Sequence, residues 1–182
     1  MERLRKIRRH RQAGWTMIEM TMVIVVTSLM AVSLQPRMQG FSVYKAVGAG
    51  RKLLSDIRYT QQLAMSRGAS YGIEFDTIGE QYRVFDVATG INITDPVNGV
   101  VGVTGANWTS GFVVNYMSEP ELSGVDLVGT NFGTQIRFDS YGRPKDSTNT
   151  LFTSVGNIVV SCTGSSKTLS VDPRTGRTIL VQ

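Results

Sequence analysis

From Trp15 to Leu34 the chain reads WTMIEMTMVIVVTSLMAVSL, apolar on every side, with Glu19 as its one charge. About twenty residues at a rise of about 1.5 Å each reach across a hydrocarbon core of about 30 Å. A helix that is apolar all round does not lie on the surface of a soluble domain; it needs lipid or other apolar helices around it. Ahead of the run stand Arg3, Arg5, Lys6, Arg8, Arg9 and Arg11 against Glu2 alone, while acids and bases balance in everything after Gly14. The net charge of +5 therefore belongs to the tip and not to the bulk of the chain. Basic flanks stay on the cytoplasmic side, which orients the run with the C-terminal bulk outside.

Three arrangements fit these residues. One is a secretory signal whose small-residue site Ala31-Val32-Ser33 is cleaved near Ser33, releasing an ordinary secreted β-domain. A second is a plain membrane anchor. Both leave Glu19 without a purpose, although a carboxylate inside a bilayer costs about 2.5–3.5 kcal/mol on insertion scales. The third gives Glu19 a partner.

Composition narrows the chemistry. His10 is the only histidine and Cys162 the only cysteine. An intramolecular disulfide, a His/Cys zinc site and a Ser/His/Asp triad in the bulk of the chain are excluded. Carboxylate catalysis stays open on composition. Gly48-Ala49-Gly50 lacks the third glycine and the preceding strand of a dinucleotide fingerprint. The expectation is a protein that is not an enzyme and carries no cofactor.

Gly14-Trp15-Thr16-Met17-Ile18-Glu19 resembles the processing site of type IV pilins and type II secretion pseudopilins. The resemblance implies that a prepilin peptidase cuts after Gly14 and methylates the new amino terminus at Trp15, which stands where the family most often has Phe. It implies that Glu19 is the subunit-assembly glutamate and that Pro36 kinks the helix. It also implies an inner-membrane subunit with a cytoplasmic N-terminus and an extracytoplasmic head, joined to other pilin or pseudopilin subunits in a filament. The physics agrees: cleavage before the run keeps it on the mature protein and creates an ammonium at Trp15. Glu19 of a neighbouring copy can pair with that ammonium and so fix the axial register of stacked helices.

Beyond Pro36 a helical period continues through Val43, Val47, Gly50, Leu54, Ile57, Gln61 and Ala64, one face of an amphipathic helix that packs on the chain's own β-domain. Gly68 is its C-cap. Pro36 and Gly40 interrupt its backbone ladder. The period then changes to alternation, with strands expected at Ser70–Phe75, Gln81–Val87, Phe112–Met117, Val125–Val128, Thr134–Phe138, Asn157–Cys162, Lys167–Val171 and Arg177–Val181. Turns fall at Asn98-Gly99, Tyr141-Gly142-Arg143-Pro144, Gly164-Ser165-Ser166 and Asp172–Gly176. Ala88–Ser110 and Lys145–Ser154 read as loops.

Ile136-Arg137-Phe138, Tyr141-Gly142-Arg143, Gly156–Val160 and the final hairpin from Asp172 to Leu180 are similar to the GspH/FimT domain of H-type pseudopilins and FimT/FimU-type minor pilins. The fold class expected is α+β: a long N-terminal helix, half apolar and half amphipathic, on a small antiparallel sandwich-like head. The segments are residues 1–14 as a basic leader, 15–35 as the transmembrane and polymerisation helix, 36–68 as the amphipathic half and 69–182 as the head. The function implied is that of a minor pilin or pseudopilin in a type IV pilus or type II secretion filament, within a tip or initiation complex.

A further alternative is a DNA-binding minor pilin of the FimT kind. Gly176-Arg177-Thr178-Ile179 keeps the first arginine of a Gly-Arg-x-Arg element and loses the second. Lys167 and Arg174 beside Arg177 make a small basic edge, enough for weak, salt-sensitive phosphate contact. Cys162, alternating in an apolar strand, reads as a buried small hydrophobe. Glu119-Pro120-Glu121 reads as a solvated loop, with calcium as the lesser alternative. Trp108 and Phe112 read equally as core or as a subunit contact. Asn92-Ile93-Thr94 and Asn107-Trp108-Thr109 are chance glycosylation-type triplets.

Overall fold

The computed structural model describes residues 15–105 and 108–181, leaving aside the side chains of residues 32–40. The leader, including Gly14, and Asn107 of the second glycosylation-type triplet lie outside the described residues. Contacts divide the chain into two compact units, Met1–Met38 and Gln39–Gln182.

Helix α1 runs from Met17 to Arg67. Thr16 starts it: its Oγ1 accepts from the Glu19 N–H at 3.3 Å, an N-cap to an orphan donor of the first turn. Gly68 ends it at φ 62°, where the Ala69 N–H reaches back to the Ala64 carbonyl at 3.3 Å. This is the left-handed C-cap expected of that glycine. Pro36 falls within the assigned helix.

In the first unit the described side chains from Trp15 to Ala31 are all exposed. In the second unit, α1 buries Ala46, Ala49, Leu53, Ile57, Thr60 and Ala64. That line corrects the expected stripe by about one residue around the helix. Ile57, Gly50 and Ala64 are buried as expected, Val47, Leu54 and Gln61 flank the line, and Val43 is 42% exposed. Asp56 and Thr60 are polar members of the buried line, so hydrophobicity alone set the stripe slightly off its true centre.

The strands follow: β1 (Tyr71–Asp76), β2 (Gln81–Asp86), β3 (Val113–Asn115), β4 (Asp126–Thr130), β5 (Gln135–Phe138), β6 (Pro144–Lys145), β7 (Gly156–Cys162), β8 (Ser165–Val171) and β9 (Thr178–Val181). Every expected strand is present within two or three residues at its ends, and β6 is an addition at the edge of an expected loop. One sheet has the order β3-β2-β1-β5-β6, the other β4-β7-β8-β9. All pairings are antiparallel. The β7–β8 turn falls on Thr163 and Gly164, both at positive φ, one residue earlier than expected, so Ser165 and Ser166 belong to β8.

One core joins α1 to both sheets. Tyr71, Ile73, Phe75, Tyr82 and Val84 face it from the first sheet, and Leu127, Ile158, Val160, Leu169 and Val171 from the second. Cys162 is 3% exposed within that core, as read from its strand. Phe112 is core as well, edge-on to Tyr59 at 6.1 Å.

Candidate functional site

At the start of α1, Trp15 is 66% exposed, and Met17, Ile18, Met22, Ile24 and Leu29 are exposed with it. Glu19 stands at the third helical position behind the Thr16 cap, the spacing of a capping box, and there a carboxylate also suits the positive end of the helix dipole. The Thr-x-x-Glu spacing is the sequence signature of such a helix start. Among the described residues, no helix is long and apolar enough to cross a membrane.

In the head, the Gly142 and Gly176 turns meet at Gln61. Its Nε2 donates to the Gly142 and Thr175 carbonyls, each at 2.8 Å, tying one position of α1 to the β5–β6 and β8–β9 connections. Gly142 and Gly176 sit at φ 77° and 68°. A Cβ on Gly176 would lie 2.6 Å from the Gly142 carbonyl oxygen and 2.6 Å from Gln61 Nε2. The glycine-weighted motif seen in the sequence is therefore a packing junction.

Beside it, Asp139 accepts from the Tyr141 and Arg143 N–H groups at 3.0 Å and pairs with the Arg143 guanidinium at 2.7 Å. Burial works to raise the Asp139 carboxyl, but the Arg143 side chain and the two backbone donors outweigh it and hold it below the usual range. Its contribution to stability is present above the unfolded carboxylate value of about 3.9 and is lost as pH falls through the lower folded value. Asp139→Asn is expected to flatten the acid limb of a stability–pH profile measured by chemical denaturation below about pH 4.

A second polar group lies between α1 and the first sheet. Tyr82 Oη donates to Asp56 Oδ2 at 2.5 Å, and Lys52 Nζ approaches the same oxygen at 3.0 Å. Burial raises the Asp56 carboxyl against the lowering pull of Tyr82 and Lys52. Its sign is opposite to that of Asp139: the folded state holds this proton more tightly, so Asp56 favours folding as pH falls through its raised value. Burial also lifts Tyr82 and Tyr116, whose rings meet edge to face at 5.8 Å. Asp56→Ala leaves the Tyr82 hydroxyl buried without its acceptor and is expected to cost about 1–3 kcal/mol by thermal or chemical denaturation. Asp56→Asn keeps an acceptor, sheds the buried charge, and is expected to cost less.

On the other face of the first sheet, Arg83 is 7% exposed. It pairs with Glu74, donates to Asn92 Oδ1 at 2.9 Å and to the Gly90 carbonyl at 3.2 Å, and lies between the Phe85 and Trp108 rings at 4.8 and 5.4 Å. This fastens the Ala88–Ser110 connection to the sheet. Asn92, of the first glycosylation-type triplet, is buried in that clamp. Trp108 packs here on Arg83, on a different face from core Phe112. The strand alternation at Arg83 hid this role, because an arginine beside core positions reads as a solvated residue.

The proposed basic edge does not close. Lys167 shares the face of β8 that carries buried Leu169 and Val171, beside Gly50 of α1. Arg177 lies on the opposite face, lining a shallow depression with Ser170, Asp172 and Ile179. Arg174 is exposed in the turn between β8 and β9. The three cations are near in sequence and register but are not presented on one surface. Among the described residues, no group of three or more His, Cys, Asp or Glu side chains is placed to hold a metal ion, including around Glu119-Pro120-Glu121.

Residues 49–176 match the sequence model of the family described as Type II transport protein GspH. The chain belongs to this family. The match starts at Ala49, buried on α1, and stops at Gly176, the glycine under Gln61, so it spans the helix–sheet packing and the glycine junction. No curated protein is similar enough in sequence to count as a relative. The type IV minor pilin FimU of Pseudomonas aeruginosa is 11% identical with a TM-score of 0.51, over 76% of this chain and 90% of that one. At that identity the likeness is one of fold. The minor pseudopilin EpsH from the Type 2 Secretion System of Vibrio cholerae is 12% identical with a TM-score of 0.49, over 75% of this chain and 96% of that one. Outside the GspH match lie Trp15, Glu19 and Pro36, together with Arg177.

Proposed function

We propose that this GspH-family chain is a minor pilin or pseudopilin, a non-enzymatic structural subunit of a type IV pilus or type II secretion filament. A prepilin peptidase cuts between Gly14 and Trp15, and Trp15 receives the N-methyl group. Until assembly, the apolar run holds the subunit in the inner membrane as a single span, cytoplasmic at its N-terminus, with the head on the far side. Subunits then join through their N-terminal helices in a tip or initiation complex. Glu19 meets the terminal ammonium of a neighbour, and Pro36 supplies a kink.

The observation that carries this reading is the exposed apolar start of α1 on a chain whose head belongs to the GspH family. Met17, Ile18, Met22 and Ile24 are exposed, and so large an apolar surface needs lipid or other helices. No observation brings Lys167, Arg174 and Arg177 to one face, so the DNA-binding reading is not carried forward.

The test is intact mass with N-terminal fragmentation of the protein from the membranes of its own host. A chain that begins at Trp15 with one added methyl group is expected. A chain that begins at Leu34 lacks Glu19 and the apolar run, and would overturn the filament reading in favour of a secreted β-domain.

A further inference from the structure

Across the first sheet, Phe85 stands opposite Gly72, Gly72 opposite Arg137 and Arg137 opposite Lys145, and Leu151 continues the row beyond edge strand β6. The row lies on the face away from the core, because the neighbours of its members along the strands, Ile73, Val84, Ile136 and Phe138, face inward. Gly72 leaves room for the residues on either side. A Cβ there would stand 2.9 Å from Phe85 Cζ and 3.2 Å from Arg137 Cγ.

Like charges directly opposite on one face of an antiparallel pair repel and cost stability. Arg137 and Lys145 are such a pair, both half-buried. The ion pairs of the described residues are Lys52–Asp56, Arg83–Glu74 and Arg143–Asp139, so neither cation is in one. The acids around them are engaged elsewhere. Glu74 accepts from Arg83 Nε at 2.6 Å and from Gln135 Nε2 at 2.9 Å, and Asp139 is held by Arg143. Asp146, next after Lys145, accepts from the Thr148 and Thr150 N–H groups of its own turn, each at 2.9 Å.

Arg137 is also held in position. Its Nε and Nη2 donate to Gln135 Oε1 at 3.2 and 2.8 Å, Gln135 is fixed by Glu74, and Glu74 by Arg83. A guanidinium has five N–H donors, so three remain beside the Lys145 ammonium. An oriented arginine next to a second cation is an arrangement that receives a carboxylate.

We propose that Arg137 and Lys145 form the receiving site for an Asp or Glu side chain in a segment of a different filament subunit. Two adjacent cations suit one carboxylate. A nucleic-acid backbone needs cations repeated along its phosphates, and the charges after Gly14 balance, so no wider positive field surrounds the pair. Leu151, 42% exposed at the end of the row, offers apolar contact to the residues around that carboxylate. The proposal rests on the filament reading, which supplies the other subunits.

The test places photoreactive p-benzoylphenylalanine at Leu151 of the full-length chain in membranes of its own host, and the joined peptide is sequenced by mass spectrometry. A peptide of another filament subunit is expected. Lys145→Glu is expected to cut its yield about tenfold. The same substitution is expected to raise the urea midpoint of the purified chain, because Arg137 then faces an acid within its own sheet. A lysine needed only for folding would lower that midpoint. Arg137→Glu with Lys145→Glu should also lose the cross-link, and changing the partner's acid to Lys should restore it. An unchanged yield in Lys145→Glu, a lowered midpoint, a joined copy of this chain or no joined peptide would each overturn the site. Recovery of the unsubstituted chain in sheared filaments is scored separately. Recovery without the cross-link sinks this site and leaves the filament reading standing, whereas a chain absent from filaments overturns both.

Discussion

Glu19→Ala is expected to leave cleavage after Gly14 intact and to remove most of the subunit from the filament, with the largest effect of any single substitution in the chain. In the proposed processing the cut falls before Trp15, on a bond whose flanking residues are unchanged. The unassembled subunit would enter the membrane more easily, since a carboxylate in hydrocarbon costs about 2.5–3.5 kcal/mol. On the proposed assembly, what is lost is the register signal: with Glu19 present, a subunit at the wrong axial offset would keep an unpaired charge among apolar helices, while the right offset would give it the neighbour's ammonium. An alanine is equally content at every offset. A buried pair adds little net stability because desolvation offsets the attraction, so the effect falls on placement. Glu19→Gln separates this from a capping-box role, since either side chain suits the third helical position behind a Thr cap and the amide carries no charge. Immunoblots of sheared filaments beside whole membranes report both variants. If Glu19→Gln assembles normally while Glu19→Ala does not, Glu19 acts as a helix cap and the register argument is wrong.

Gly176→Val is expected to destabilise the head by about 3–5 kcal/mol, enough to leave much of it unfolded, because two costs combine. A branched side chain at φ 68° sits in the left-handed region, at about 1–2 kcal/mol. Its Cβ also meets the Gly142 carbonyl at 2.6 Å and the Phe138 ring at 3.1 Å, and a backbone oxygen cannot swing aside as a side chain would. Overpacking of that kind adds about 1–3 kcal/mol, and displacing Gln61 breaks its bonds to two turns together. Gly164→Ala is the control. It has φ 82° with nothing within 4 Å of its Cβ, so only the conformational cost of about 1–2 kcal/mol applies. Equal destabilisation of the two variants in urea titrations would show that the Gln61 junction matters no more than any left-handed turn.

The strands were legible because each alternates and is bounded by turn residues. Their ends moved where a turn was tighter than its composition suggested, as at Thr163-Gly164. The amphipathic stripe of α1 was legible in period and slightly wrong in phase. Hydrophobicity weights Leu54 and Val47 over Ala46 and Ala49, whereas the fold places the small alanines where the helix comes nearest the sheets. Asp56 was hidden as well, since beside the local Lys52 its buried carboxylate relies on the Tyr82 hydroxyl, distant in sequence. The basic edge at Lys167, Arg174 and Arg177 failed because closeness in sequence says nothing of which face of a strand a side chain takes across a hairpin.

By itself the sequence determined whatever depends on local order: the basic tip, the apolar run with one carboxylate, the change of period at Gly68, the left-handed glycines, and the family of the chain. These follow from periodicity, charge and backbone sterics acting over a few residues. Only the tertiary structure decided that Gln61 ties two turns to α1 and that Arg83 holds the long connection down. Each of these joins residues far apart in the chain. Their energies come from burial and distance in space, which no local pattern records.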